Sequence, residues 1–175
     1  VQDYINEWNR LTIVMNNISD PSSAEALIAR HAFDRLIDLG KELKLPERVV
    51  DLAHQCAQIL IVMRPSDEGP SDFQEYTLVA VVAVACYLGQ YTLGERYGLQ
   101  TLAQQYNQNV SSLEQVFEYI MASVSNYREM YHRMQNYQEQ GYFDEDVYDR
   151  SHGSGHNGRR HPTGSLLATM SDLDG

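Results

Sequence analysis

Few side chains in this sequence have both the type and the spacing to do chemistry. Asp34, Asp38 and Glu42 repeat at four-residue intervals, which puts three carboxylates on one face of a helix. A cation held there would need a companion His or a second acidic helix, and neither accompanies them, so they read as a solvated helix face. His152, His156 and His161 stand in a Gly-rich stretch at spacings a metal can use. Zinc sites combine such residues with Cys or acids on a folded frame, which that stretch does not offer. Cys56 and Cys86 stand apart in apolar runs and form neither a disulfide framework nor a ligand pair, so both are expected to be buried free thiols. His31, His54 and His132 are isolated and are expected at surface or boundary positions. No Ser, Cys or Lys sits in a nucleophile motif and no Gly-rich run forms a phosphate loop. The expectation is a protein that is not an enzyme, with no cofactor, no metal and no small-molecule substrate.

Other residues suit binding. Gln104, Gln105, Asn107, Asn109 and Ser111 form an amide and hydroxyl cluster, and amides can pair with adenine edges. Phosphate anchors are missing: residues 92–125 hold only Arg96 against Glu95, Glu114 and Glu118, and the whole chain has 13 basic residues against 24 acidic ones, a net charge of −11. Counterion release then contributes little, so independent DNA binding is not expected. Tyr127, Met130, Tyr131, Met134 and Tyr137 make a Tyr/Met stripe that reads equally well as a partner-binding surface or as core packing. Near the C-terminus, Leu166, Leu167, Met170 and Leu173 fall at i, i+1, i+4 and i+7 behind Thr163 and Ser165, with Asp172 and Asp174 following. This pattern suits a short acidic-hydrophobic peptide that orders only in a partner's groove.

The elements that must position these residues are helical, because apolar positions from 22 to 124 recur every three or four residues without sustained alternation. A first core helix is predicted after Asp20-Pro21, capped by Ser22 or Ser23 and running to about Leu43. Pro46 suits the first position of a second helix that ends near Arg64-Pro65. Residues 76–87 are so uniformly apolar that this third helix is expected at the centre of the domain. A short helix over residues 99–106, a turn at 107–109, and a long helix capped by Ser111 or Ser112 complete five core helices. Tyr4, Ile5, Trp8, Leu11, Ile13 and Val14 predict a flanking helix before them, and the Tyr/Met stripe extends the last helix to about Gln140, where Gly141 can end it. The domain boundaries are thus 1–20 for the flanking helix, 21–125 for the core and 126–140 for the extension. Residues 141–175, acidic and rich in His and Gly, are expected to be disordered. The longest apolar stretch falls short of the roughly 20 residues that span a bilayer, and residues 1–19 lack a signal-peptide layout, so a soluble, cytoplasmic or nuclear protein without membrane contact is expected.

Phe33-Asp34-Arg35-Leu36, then Leu43-Lys44-Leu45-Pro46-Glu47-Arg48-Val49 and Ala53, resemble the acidic-basic-apolar helix leading to Leu-x-Leu-Pro in the cyclin-box repeat of the general transcription initiation factor B family. Val82-Ala83-Val84-Ala85-Cys86-Tyr87-Leu88 is similar to that family's Ala-rich central helix. Thr101-Leu102-Ala103 with Val110-Ser111 resembles its Thr-Leu-x-x-Ile helix, turn and following helix, and Trp8 stands where members often carry Trp before the first repeat. The resemblance covers about residues 22–124, one repeat, without the family's Cys-rich zinc ribbon or second repeat. It implies an all-α, cyclin-like five-helix domain that docks on polymerase, a TATA-binding protein, promoter DNA or a regulator and performs no catalysis. In the family the last two helices of a repeat act as a helix-turn-helix, which here would carry Gln104, Gln105, Asn107, Asn109 and Ser111. The alternative expectation is a cyclin-like assembly or adaptor protein with no role in transcription.

Overall fold

A computed structural model describes residues 1–65, 71–93 and 98–141. Among the described residues there are six α-helices and no strands: α1 (Gln2–Ser19), α2 (Ala24–Leu43), α3 (Glu47–Val62), α4 (Glu75–Leu88), α5 (Leu99–Gln105) and α6 (Val110–Glu139). The expected all-helical core, the flanking helix and the long final helix are therefore present. The tail, with its His residues and its apolar stripe at Leu166, Leu167, Met170 and Leu173, lies outside the described residues.

The arrangement follows from α4. Leu78 and the eight residues after it are all buried, leaving Tyr76 and Tyr87 exposed only at its ends. Valines lower helix propensity because their branched side chains lose rotamer freedom. Burial overrides that preference, at roughly 1.5–3 kcal/mol for each fully buried aliphatic side chain. With no polar face of its own, α4 is packed by α2, α3, α5 and α6. α3 presents Val49, Leu52, Ala53, Cys56, Ala57, Ile59 and Leu60 to the same core, and α6 contributes Leu113, Phe117, Ile120 and Val124.

Helix ends are set locally. Ser23 caps α2, its hydroxyl accepting from the Ala26 N–H at 2.9 Å. Lys44 closes α2 in the left-handed region (φ 56°), and the Leu45 N–H returns to the Gly40 carbonyl at 2.9 Å. Gly40 also lets α2 and α3 approach: a Cβ there would lie 2.7 Å from Val50 Cγ2. Pro46 is the N-cap of α3 and not its first helical residue, since an extended ψ of 152° fits a proline φ of −62° equally well. Arg48 reaches across to donate from Nη1 to the Gly89 carbonyl, placing a cation at the C-terminus of α4. Asn109, not Ser111 or Ser112, caps α6, its side-chain oxygen accepting from the Ser112 N–H at 3.0 Å. Asn ranks with Ser as a cap, and its carbonyl is the group within reach. α6 then runs unbroken through the expected boundary at 125/126 and stops before Gly141, whose φ of 84° favours glycine.

Ala83 is fully buried in the middle of α4. Ala83→Asp is expected to destabilise the fold by about 3–5 kcal/mol, because the carboxylate has no cation to meet. An unchanged thermal midpoint would show that α4 is not the centre of the core.

Candidate interaction surface

The turn between α5 and α6 is the most built feature of the surface. After α5 the Gln108 N–H bonds the Ala103 carbonyl at 2.8 Å, Asn107 adopts φ 53°, and Asn109 caps α6. Asn is among the residues that tolerate this left-handed conformation best. Buried Leu99, Leu102 and Ala103 fix α5 to the core. Gln104, Gln105, Asn107, Asn109 and Ser111 are consequently all exposed and close together in the chain. The Asn109 side-chain oxygen is already occupied by its cap and is not free to read a ligand.

A polar network ties this turn to the rest of the molecule. The Tyr106 hydroxyl donates to Glu42 Oε1 at 2.7 Å, Arg35 Nη1 meets Glu42 Oε2 at 3.2 Å, and Arg35 Nη2 meets Glu75 Oε2 at 2.7 Å with a second bond from Nε. One guanidinium therefore joins α2 to the first turn of α4, and through Glu42 to the end of α5. Hydrogen bonds from Tyr106 and Arg35 hold the Glu42 carboxyl below its ordinary range, while burial and the neighbouring carboxylate raise Tyr106. This accounts for the carboxylate row: Glu42 is engaged, while Asp34 and Asp38 face solvent. Among the described residues no group of three or more His, Cys, Asp or Glu is placed to hold a metal ion.

Residues 98–125, which form α5, the turn and the first half of α6, supply no cationic anchor for phosphate of their own. Residues 98–125 contain Glu114 and Glu118 and no Lys or Arg. An amide and hydroxyl surface of this kind hydrogen-bonds well, and it lacks the charge that draws a polyanion to it.

The Tyr/Met stripe is largely used within the molecule. Tyr127 is fully buried and Met134 is 4% exposed, while Tyr131 is half-buried. α1 covers them: the Trp8 ring lies 6.0 Å from Tyr127 and 5.9 Å from Tyr131, Tyr4 lies 6.4 Å from Tyr137, and the Arg133 guanidinium sits 4.4 Å from the Tyr4 ring centre. Arg10 adds a polar tie, pairing with Glu7 at 2.6 Å and donating to the Arg64 carbonyl at the end of α3. Of the two readings of the stripe, packing describes Tyr127 and Met134, while Met130, Tyr131 and Tyr137 are half-buried and keep an open side.

The cysteines and His54 show what burial does to reactive groups. Cys56 is pushed up to about 12 and Cys86 to about 11, both chiefly by desolvation, so neither supplies thiolate at neutral pH. His54 stacks on Phe33, with ring centres 4.7 Å apart, and its Nε2 is buried without a hydrogen-bond partner. The sequence places His54 at a boundary but gives no sign of this stack, which depends on how α2 and α3 cross.

No family model, curated protein or solved structure matches this chain. No helix among the described residues is long and apolar enough to cross a membrane.

Burial lowers the His54 pKa, with Asp51 and the Phe33 backbone opposing. The unfolded chain therefore binds the proton first as pH falls, so stability is full above the ordinary histidine value of about 6.5 and is lost as pH drops below it. Urea midpoints measured from pH 7.5 to pH 5 are expected to fall, and His54→Asn should flatten that dependence. An identical slope in the variant would assign it to another group.

Proposed function

We propose that this protein is a non-catalytic protein-interaction module of the cyclin-box kind, similar to one repeat of the transcription initiation factor B family, which docks on transcription machinery or a regulator of it. The observation that carries the reading is the wrapped α4. Residues 78–86 of α4 are entirely apolar and are enclosed by α2, α3 and the α5–turn–α6 unit, and the Leu-Lys-Leu-Pro-Glu and Ala/Val motifs precede and form that helix in chain order. The polymerase, a TATA-binding protein or a regulator is the partner class this implies, met at the exposed Gln104, Gln105, Asn107 and Ser111.

The adaptor reading, a cyclin-like assembly protein with no transcription role, draws on the surface charge. A helix-turn-helix without a basic residue between 98 and 125 gains nothing from promoter phosphates. Both readings require a protein partner, and the partner's identity separates them.

The isolated protein is expected to leave a promoter-like duplex unshifted at physiological salt. Affinity capture from its native cells is expected to recover polymerase subunits or a TATA-binding protein, and Gln104→Glu with Gln105→Glu should weaken that capture without changing the melting temperature. Sub-micromolar duplex binding by the protein alone would overturn the electrostatic argument. A different stable partner, recovered without any transcription component, would favour the adaptor.

A further inference from the structure

The outward face of α2 carries an order unlike that of an ordinary solvated helix. Leu27, Arg30, Asp34, Ile37 and Lys41 follow one another at alternating three- and four-residue steps, opposite the buried Ile28, Ala32, Leu36 and Leu39. Such alternation is the seam along which one helix packs on another. Leu27 is 44% exposed and Ile37 is 39% exposed. Arg30, Asp34, Asp38 and Lys41 are exposed on the same side, and none of them has an ion-pair partner among the described residues. Two cations thus balance two carboxylates on this face, although the chain as a whole has a net charge of −11.

The order is also self-complementary. Ala32 is the midpoint between Leu27 and Ile37 and equally between Arg30 and Asp34. In an antiparallel pair of α2 helices with a two-fold axis level with Ala32, Leu27 of each copy therefore faces Ile37 of the other, and Arg30 of each faces Asp34 of the other. Every contact is made twice, as an isologous interface requires. A parallel pair would instead set Arg30 on Arg30 and Asp34 on Asp34. We propose that a second copy of this chain docks on this face, α2 against α2 in the antiparallel sense. Half-buried Phe33 adds apolar cover at one margin of the seam, and His31 stands at the other. Asp38 and Lys41 fall near the first turn of the second α2, where the acid suits the helix dipole and the cation offsets that gain. Net charge opposes association of two such chains through an acidic surface, and a balanced face is where that repulsion is least. The layers from Leu27 to Ile37 occupy only about 15 Å of helix. Such a seam buries less than the roughly 1,200 Å² of a stable interface, so the dimer is weak and forms with rising concentration. The proposal uses no residue of the α5–α6 turn and does not rest on the proposed function.

Sedimentation velocity of the full chain at pH 7.5, from about 10 µM to about 0.5 mM, covers the affinities of weak dimers. The sedimentation coefficient is expected to rise with concentration toward that of a dimer. Arg30→Asp alone, or Asp34→Arg alone, is expected to weaken association on the order of thirtyfold, because each reversal turns attraction into repulsion at two symmetric places. Arg30→Asp combined with Asp34→Arg in one chain should restore it. An equimolar mixture of the two single variants should associate although each variant alone stays monomeric. Both positions are exposed, so an unchanged thermal midpoint is expected and checks the fold of every variant. A monomer at every concentration, a dimer indifferent to the single reversals, or one restored by neither the combined variant nor the mixture would each overturn the proposal.

Discussion

Shielding α4 from water is the constraint on which the other helices depend. Its buried residues, 78–86, offer no polar side that could be left in solvent, so α2, α3, α5 and α6 must all lie against it. Each of those helices is amphipathic or short, and each spends its apolar stripe on the same core. Close approach is then a requirement, and it is met where side chains are smallest: Ala80, Ala83 and Ala85 along α4, and Gly40 where α2 crosses α3. Packing at this density transmits any change of volume to its neighbours, which makes the centre intolerant of substitution.

The helices were legible because their signals are local. The spacing of Leu113, Phe117, Ile120 and Val124, the break at Asp20-Pro21 and the stop at Gly141 each act within a few residues, and each corresponds to an observed element. Cap positions were less secure, since Asn109 competes with Ser111 and Ser112 for the start of α6, and only geometry decides between them. Contacts between distant residues left no trace in the sequence. Tyr106 on Glu42 spans 64 residues, and Arg48 on the Gly89 carbonyl spans 41. Burial by another element was equally hidden: the Tyr/Met stripe reads as surface or core until α1 is seen to lie on it.

The charged groups follow a different logic from the core. Arg35 gathers two carboxylates from different helices on a partly exposed surface, where such pairs contribute little stability singly and more as a network. Their effect is chiefly on geometry, because Tyr106 is fixed at the point where α5 gives way to the turn. The exposed amides beyond it are presented by a backbone held on one side by apolar burial and on the other by this network. Pre-organisation of this kind leaves little conformational entropy to be lost when such groups are ordered.

The unbroken course of α6 has a mechanical consequence. Thirty residues of helix extend about 45 Å as one rod. Its first turns carry Ser111 beside the exposed amides, its middle lies against α4, and its far end is gripped by Tyr4 and Trp8. No glycine or proline interrupts it to absorb bending. The contact with α1 at one end and the turn where Asn109 begins the helix at the other are therefore parts of one rigid element, anchored between them by Leu113, Phe117, Ile120 and Val124.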